Sequence, residues 1–476
     1  MNTGKDRAML LTRWLAGCRP LIAVSMPIAG IQLAQVALTT TDLAMLGGMS
    51  VRAIAAGGLA LTLYNQVRTM CVGTVTAVGN LVAGAAGRGE TRAGDDRLDE
   101  QASTEVRDIV RASFLVATAV GVLAALVLIA LGYVLAWFGQ DAEVLALARP
   151  TMLALAPGLI PMLWLNVLRQ FAVGMRRPGS LLGVTIVSVG VNILLDGGFG
   201  YGWFGFPELG APGVGLATTI VQFLNCFAFL LILRRDEYLA PLLSVGFRRR
   251  ELPMAREILR LGIPISLTYG SEAGITSVAT VLMGSFGPAT LAAQSVVNQL
   301  VYIVYQLNIG LSQGSSILIS RAVSRHDRPE VSRIARQALS LSVSAMTVAG
   351  LAYLVVPGWV LGLFLEKHPP PEVLSLAHTL LFFGIAQQYL KGAQNVCVGL
   401  LRGLGNTKSG FRATLLGYWV IGIPVMVLCG FGLSLAGPGV WLGLCFGFGA
   451  TAVLLLRKFS RELASTPALS AVPGRT

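Results

Sequence analysis

An apolar segment bounded by proline and glycine occurs twice in this chain, and each copy carries an acidic residue. The first copy, residues 27–47, contains Asp42, and the second, residues 264–284, contains Glu272. The copies align without a gap at an offset of 237 residues, with proline at the first position and glycine at the last. A carboxylate within a membrane span costs about 2.5–3.5 kcal/mol on insertion scales, so it is rarely there without a role. The repeat predicts a duplicated membrane unit with one buried acid in each copy.

Long apolar runs recur along the whole chain. Hydrophobic residues make up 54% of the 476 residues and charged residues only 12%, whereas soluble domains contain roughly 25% charged residues. About 20 apolar residues are needed to cross a bilayer. By that measure the predicted spans are approximately 16–46, 54–86, 110–138, 143–170, 180–200, 211–234, 256–284, 290–321, 332–364, 373–402, 410–433 and 438–459. The predicted fold class is an all-α polytopic membrane protein with twelve transmembrane helices.

Basic residues are concentrated in the loops on one side of the predicted membrane. Of the 36 Lys and Arg residues, only Arg52, Arg149 and Lys367 lie near the opposite side. This asymmetry follows the positive-inside rule, so both termini are predicted to be cytoplasmic in the plasma (inner) membrane. It also accounts for the net charge of +13, and we therefore exclude nucleic acid as a partner.

The chain divides into two similar halves of six predicted spans. An even number of spans makes both halves enter the membrane in the same direction, so the repeats are predicted to be parallel. A second similarity supports the division, because residues 209–214 resemble residues 435–440. The predicted regions are a cytoplasmic N-terminal segment (1–15), a first six-helix bundle (16–234), a basic cytoplasmic linker (235–255), a second six-helix bundle (256–460) and a disordered C-terminal tail (461–476). Residues 87–108, polar and mixed in charge, indicate a flexible cytoplasmic loop.

Polar residues of the first half lie at one predicted depth. Counting about 1.5 Å per residue from the span ends places Asp42, Asp196 and Thr218 roughly 6–11 Å from the outer surface. Asn192 precedes Asp196 by four residues, so it lies on the same helix face one turn deeper. Two carboxylates, an amide and a hydroxyl suit a proton or a small hard cation such as Na⁺. The alternative is that Asn192 and Thr218 cap local backbone and Asp196 is interfacial.

Two basic residues are candidate partners of the buried acids. Glu272 is predicted near the midplane of span seven, Lys391 midway along span ten and Arg68 midway along span two. Lys391 is a possible partner of Glu272, and Arg68 of a first-half aspartate. In one hypothesis Asp42, helped by Asp196, carries the coupling ion; in the other, Asp42 only braces the bundle through Arg68. Pro27 leaves a backbone carbonyl unpaired one turn earlier, so it is a predicted hinge.

The sequence contains no pattern that indicates catalysis. It has no nucleotide-binding glycine-rich loop with lysine, which excludes ATP as the energy source. The six cysteines lie in or beside apolar segments without paired spacing, and the three histidines are scattered. We predict no enzyme activity, no cofactor, and no metal other than a possible Na⁺ at Asp42 and Asp196.

At these residues the sequence resembles the multidrug and toxic compound extrusion (MATE) family of secondary transporters. The resemblance covers nearly all of residues 16–460, and each motif alone is weak, but their order and spacing are fairly specific. The motifs are Pro27 with Asp42, Gly73 through the segment 85–89, the Asn192–Asp196 pair, Pro264 with Glu272, and residues 401–403 followed by Tyr418, Trp419 and Pro424.

The resemblance implies two six-helix bundles forming a V around a central cavity, and exchange of cationic or amphipathic compounds for H⁺ or Na⁺. Asp42, Asn192, Asp196 and Thr218 match the family's first cation site, and Glu272 matches the second-bundle acid of NorM-like members. Those members carry an aspartate where this chain has Asn406, which puts a second cation site in doubt.

Three functional classes follow from these observations. A cation-coupled exporter of organic cations or amphipathic drugs is the first, and the chain is then expected to act as a monomer in the lipid bilayer. A flippase for a lipid-linked precursor is the second, but it should have a strongly basic cavity. A receptor or scaffold without transport is the third, and duplicated buried acids argue against it. The sequence leaves the natural substrate and the choice between H⁺ and Na⁺ open.

Overall fold

The computed structural model describes residues 3–49, 51–94, 98–138, 142–246, 251–365 and 369–465. Within these ranges the chain is built from twelve long helical segments and contains no strand. They are α1 (Thr3–Gly47), α2 (Val51–Ala93), α3 (Glu100–Val134), α4 (Ala142–Gly174), α5 (Gly179–Tyr201), α6 (Ala211–Arg235), α7 (Leu252–Gly284), α8 (Pro288–Ser324), α9 (Arg328–Val355), α10 (Pro371–Gly403), α11 (Lys408–Gly432) and α12 (Ala436–Ser465).

Ten of these twelve segments are long and apolar enough to cross a membrane. The other two, α7 and α8, are long enough at 33 and 37 residues but contain no stretch that is apolar enough by the same measure. The fold-class prediction of an all-α polytopic protein with twelve long helices is confirmed.

Several predictions concern the ends of the chain and the charged loops. The helix α1 begins at Thr3, inside the segment predicted for residues 1–15, and α12 continues to Ser465, inside the tail predicted for residues 461–476. The remainder of that tail lies outside the described residues. The same is true of Lys367, His368 and the arginines of the basic linker at 248–250.

The prediction of a flexible loop at residues 87–108 is wrong for most of that segment. Helix α2 continues to Ala93 and α3 begins at Glu100. The Asp99 carboxylate accepts a hydrogen bond from the Ala102 amide and so caps α3. Arg92 Nε lies 2.6 Å from Asp99 Oδ2 and joins the two helices. These local contacts extend both helices through sequence that is polar enough to resemble a loop.

The described chain forms two compact units whose borders lie inside helices. The N-unit is Ile31–Gly270, and the C-unit contains the residues up to Gly30 and from Ser271 onward. Helix α1 therefore begins in the C-unit and ends in the N-unit, whereas α7 begins in the N-unit and ends in the C-unit. Both exchanges occur shortly after a proline within the helix, Pro27 in α1 and Pro264 in α7. The bundle borders predicted at residues 234 and 256 stay a prediction.

In each unit, a glycine packs closely against the helix that crosses the border between the units, α7 in the N-unit and α1 in the C-unit. The two glycines occupy equivalent positions of the repeat. In the N-unit, a Cβ on Gly73 of α2 would lie 2.5 Å from Ser266 Cα of α7. In the C-unit, a Cβ on Gly310 of α8 would lie 2.7 Å from Ala29 Cβ of α1. Both pairs are related by the 237-residue offset of the sequence repeat. Small residues let helix backbones approach closely in a bilayer, so the duplication includes this packing contact.

Each unit has its own apolar core. The N-unit core is made by α2 to α6 together with the parts of α1 and α7 that lie in this unit, and it includes Leu128, Met152 and Phe171. The main C-unit core is centred on Trp441, with Tyr418 and Phe448 packed edge to face beside it. These cores fix the helices that carry the polar residues described next.

Candidate functional site

Asp42, Asn192, Asp196 and Thr218 meet inside the N-unit. Asp42 lies near the C-terminal end of α1, Asn192 and Asp196 lie one turn apart on α5, and Thr218 lies in the second turn of α6. The side chains are buried, with Asp196 at 0% exposure, Asn192 at 1% and Asp42 at 3%. The structure thus brings together all four residues of the predicted first-half group.

Asn192 joins the two carboxylates. Its Nδ2 atom donates one hydrogen to Asp42 Oδ1 at 2.6 Å and one to Asp196 Oδ2 at 2.7 Å. Thr218 Oγ1 lies 3.2 Å from Asp42 Oδ2 and 3.1 Å from the Val214 carbonyl oxygen. Since the hydroxyl has a single hydrogen, the amide is the firmer donor in this group.

The hydrogen bonds leave one carboxylate oxygen without a donor. Asp196 Oδ1 is buried and has no hydrogen-bond partner among the described residues. Because one amide nitrogen donates to both, the Asp42 and Asp196 carboxyl groups are close neighbours. Two buried neighbouring carboxylates need a shared proton or a bound cation, because leaving both charges uncompensated in a low-dielectric interior costs several kcal/mol. The group is chemically suited to bind and release one positive charge.

A polar cavity of the N-unit extends from this group. Asp42 lines it together with Gln35, Tyr64 and Arg68. Arg68 Nε is buried without a hydrogen-bond partner, and no salt bridge joins Arg68 to Asp42 within the part of the chain that the structure describes. The structure therefore places Arg68 in the same cavity as the acid but does not show the direct bracing contact of the alternative hypothesis.

Arg169 on α4 is a cavity residue that the sequence reasoning missed. It is 4% exposed and lines the same cavity. Its guanidinium group donates to the Asn166 side-chain oxygen and, at 3.5 Å, to Gln32 Oε1. Asn166 and Arg169 are spaced by three residues within an apolar run, and an ionisable residue in such a run indicates a functional residue, although not the cavity that it lines.

A second polar group lies within the C-unit. Lys391 Nζ on α10 is 3.1 Å from Glu272 Oε1 on α7. Tyr305 Oη on α8 donates to Glu272 Oε2 at 3.3 Å and accepts a hydrogen bond from Asn395 Nδ2. The structure brings the predicted pair Glu272 and Lys391 together. Tyr305 and Asn395 were missed, although Asn395 is four residues after Lys391 and so shares its helix face.

Asn406 belongs to neither polar group. It lies between α10 and α11, where its Oδ1 accepts from the Ser409 amide at 3.0 Å and its Nδ2 donates to Glu462 Oε1. The residue that departs from the family pattern therefore caps α11 and contacts α12. Within the described ranges, no three His, Cys, Asp or Glu side chains cluster as ligands of a metal ion.

The family model that matches the chain is MatE, and it matches twice. The two matched segments are residues 27–196 and 264–428. They begin at the two prolines of the sequence repeat, so the duplication is also present in the family pattern.

The chain is similar over nearly its whole length to bacterial proteins described as probable multidrug resistance protein NorM. The protein of Rhizobium meliloti is 34% identical, with 94% of each chain covered. That of Pseudomonas aeruginosa is 32% identical, with 94% of this chain and 90% of the relative covered.

Solved structures show the same fold. An outward-facing MATE family transporter of the MOP superfamily superposes with a TM-score of 0.82 at 17% identity, covering 94% of this chain and 96% of that one. A eukaryotic MATE transporter gives a TM-score of 0.81 at 18% identity, covering 94% and 98%.

Proposed function

The chain belongs to the MatE family, and from this membership we propose that it is a secondary active multidrug efflux antiporter. It exports cationic or amphipathic organic compounds in exchange for H⁺ or Na⁺. Its relatives are described as multidrug resistance proteins, which favours drug export over a lipid-precursor flippase. We further propose that it acts as a monomer in the inner membrane with both termini in the cytoplasm, and that it has no enzyme activity and needs no cofactor.

The main observation that supports this proposal is that one side-chain amide donates hydrogen bonds to two buried carboxylates. Asn192 holds Asp42 and Asp196 together, and a proton or Na⁺ neutralises one negative charge of the pair. Thr218 orients the Asp42 carboxylate from the opposite side. The group is built so that occupancy by a single cation changes the charge of the cavity that Asp42 lines.

The coupling mechanism follows from that change of charge. When the pair is loaded, the cavity loses one negative charge while Arg68 and Arg169 remain in its lining. It then holds a cationic cargo more weakly, so cargo is released outward. Unloading on the cytoplasmic side restores the charge and the affinity for cargo. Pro27 lets α1 bend as Asp42 loads. Glu272 remains a predicted coupling residue of the C-unit.

Dye efflux from proteoliposomes tests the proposal. A pH gradient and a Na⁺ gradient are applied separately, and ethidium efflux is measured for the wild type and for Asp42→Asn. We expect one gradient to drive efflux by the wild type. The asparagine variant should fold and bind ethidium but lose at least about tenfold in gradient-driven efflux, because an amide holds no exchangeable charge.

Asp108→Asn is the matched control, since it makes the same substitution at a partly exposed residue of α3 outside the site. Full gradient-driven efflux by a well-expressed Asp42→Asn protein would disprove the coupling role. Absence of efflux by the wild type under both gradients would disprove the antiport function.

A further inference from the structure

Lys391 places a positive charge in the middle of a membrane helix. It is 20 residues from the start of α10 at Pro371. Its side chain is 12% exposed, and that of Glu272 is 15% exposed. An ammonium group at this depth is costly unless it is surrounded by groups that replace water.

The groups around the lysine are those that bind an organic ammonium ion. The Nζ atom lies 3.1 Å from Glu272 Oε1, 4.1 Å from the centroid of the Tyr305 ring and 5.3 Å from that of the Phe448 ring. A carboxylate beside aromatic faces attracts ammonium ions through charge and through the ring quadrupole.

The ring and carboxylate are themselves held in place. Phe448 is buried in the C-unit core, and Tyr305 is also buried. The Tyr305 hydroxyl donates to Glu272 Oε2 and accepts from Asn395, so it fixes both the ring and the carboxylate. Each Glu272 oxygen then has one partner, the ammonium at Oε1 and the hydroxyl at Oε2. A preorganised site of this kind is occupied by the protein's own side chain.

We propose that Glu272, Tyr305 and Phe448 form a binding site for the ammonium group of an organic cation, and that Lys391 is its resident, competing ligand. The inference rests on the proposed function in one respect, namely that the cargo is an organic cation. A cargo cation enters by displacing the Lys391 ammonium, and Lys391 returns when the cargo leaves. The tether gives the lysine a high effective concentration, so cargo binds weakly and is released readily.

The same geometry argues against a bare alkali cation at this site. The lysine ammonium already supplies the positive charge that Glu272 needs. Two of the three walls are aromatic rings, which favour weakly hydrated organic cations. On this inference Glu272, predicted above as a coupling residue of the C-unit, binds cargo instead, and the ion-coupling group is that of Asp42.

Removal of the lysine side chain tests the proposal directly. Lys391→Ala is purified in detergent, and n-butylammonium, which has the four carbons and the ammonium group of a lysine side chain, is titrated while the unfolding temperature and the heat of binding are measured. We expect n-butylammonium to bind and stabilise Lys391→Ala but not the wild type, and n-butanol to have no effect. Ethidium should bind Lys391→Ala about tenfold more tightly than the wild type, because the tethered competitor is gone.

Two control variants test whether the gains in binding and stability arise at the proposed site. Adding Glu272→Gln to Lys391→Ala should abolish both gains, since the carboxylate is the charged wall of the site. Lys458→Ala removes an exposed lysine that is paired with Glu462 and should show neither gain. Saturation of Lys391→Ala by Na⁺ without binding of n-butylammonium would overturn the proposal, as would unchanged ethidium affinity in a folded Lys391→Ala protein.

If Lys391→Ala folds poorly, the proposal can still be tested by measuring what restores its folding. Recovery of folded protein when n-butylammonium is present during solubilisation would support the proposal. If only the added Glu272→Gln substitution restores folding, the lysine is a structural counter-ion and the proposal fails. These binding measurements use no ion gradient, so they are independent of the outcome of the efflux test on Asp42.

Discussion

Asn192 determines whether the two carboxylates of the N-unit act as one group. Its amide supplies both N–H hydrogens to the acids, and an asparagine side chain has no others to give. Thr218 makes a weaker contribution, because its longer bond to Asp42 competes with the Val214 carbonyl for a single hydrogen. The arrangement predicts unequal costs for removing these two donors.

We expect Asn192→Leu to lower stability more than Thr218→Val. The leucine leaves two buried acceptors without a donor, at about 1–3 kcal/mol each, whereas the valine removes one shared bond worth about 1 kcal/mol. Unfolding temperatures in detergent check this order. Thr62→Val is the control, since Thr62 is an exposed threonine that bonds only its own helix backbone among the described contacts. An Asn192→Leu protein as stable as the wild type would contradict the bridging role.

The sequence predicted the depth of the first-half residues but not every member of their cavity. Depth follows from counting along regular helices, so Asp42, Asp196 and Thr218 could be placed at one level without a structure. The face that a residue presents depends on how its helix is rotated and packed. Arg169 could not be assigned to the cavity for this reason, because α4 contains a 3₁₀ turn at Ala156–Gly158 that alters its helical phase.

Helix α1 is anchored differently before and after Pro27. The preceding part lies in the C-unit, where Gly310 and Gly314 of α8 approach the backbone around Ser25. The part after Gly30 lies in the N-unit and ends with Asp42 at the candidate coupling group. A proline inside a helix leaves the carbonyl one turn earlier unpaired, which here is that of Ala23. The break in hydrogen bonding therefore lies next to the change of unit, where a hinge would act.

Pro27→Ala should slow efflux while leaving ethidium binding unchanged. Restoring the helix hydrogen bond stabilises the straight form by about 0.5–1.5 kcal/mol, which corresponds to a loss in rate of up to about tenfold. The same helix offers a control in Pro20, which is exposed. Pro20→Ala is expected to retain the wild-type rate in the same proteoliposome assay. Equal rates for Pro27→Ala and the wild type would remove the hinge from the mechanism.

On the scale of the whole molecule, the duplication and the asymmetry of the basic residues together predict how the chain is oriented in the membrane. Six helices per half return the chain to the side from which it started, so equivalent loops of the two halves face the same compartment. We propose from the arginine-rich connections that the even-numbered loops lie in the cytoplasm. The loop before α6 and the loop before α12 carry the second sequence similarity, and under this proposal both lie on the outer side.

Thiol labelling of three single-cysteine proteins checks this orientation. The six native cysteines are unpaired, so they can be replaced without breaking a disulfide. Leu209 and Leu435 occupy equivalent loop positions and are each 43% exposed, which makes Leu209→Cys and Leu435→Cys a matched pair. A membrane-impermeant maleimide should label both in intact cells. Glu237→Cys, between α6 and α7, should be labelled only after permeabilisation.

Labelling of Leu209→Cys and Leu435→Cys from opposite sides would contradict a parallel duplication. Labelling of Glu237→Cys from outside would reverse the orientation inferred from the arginines.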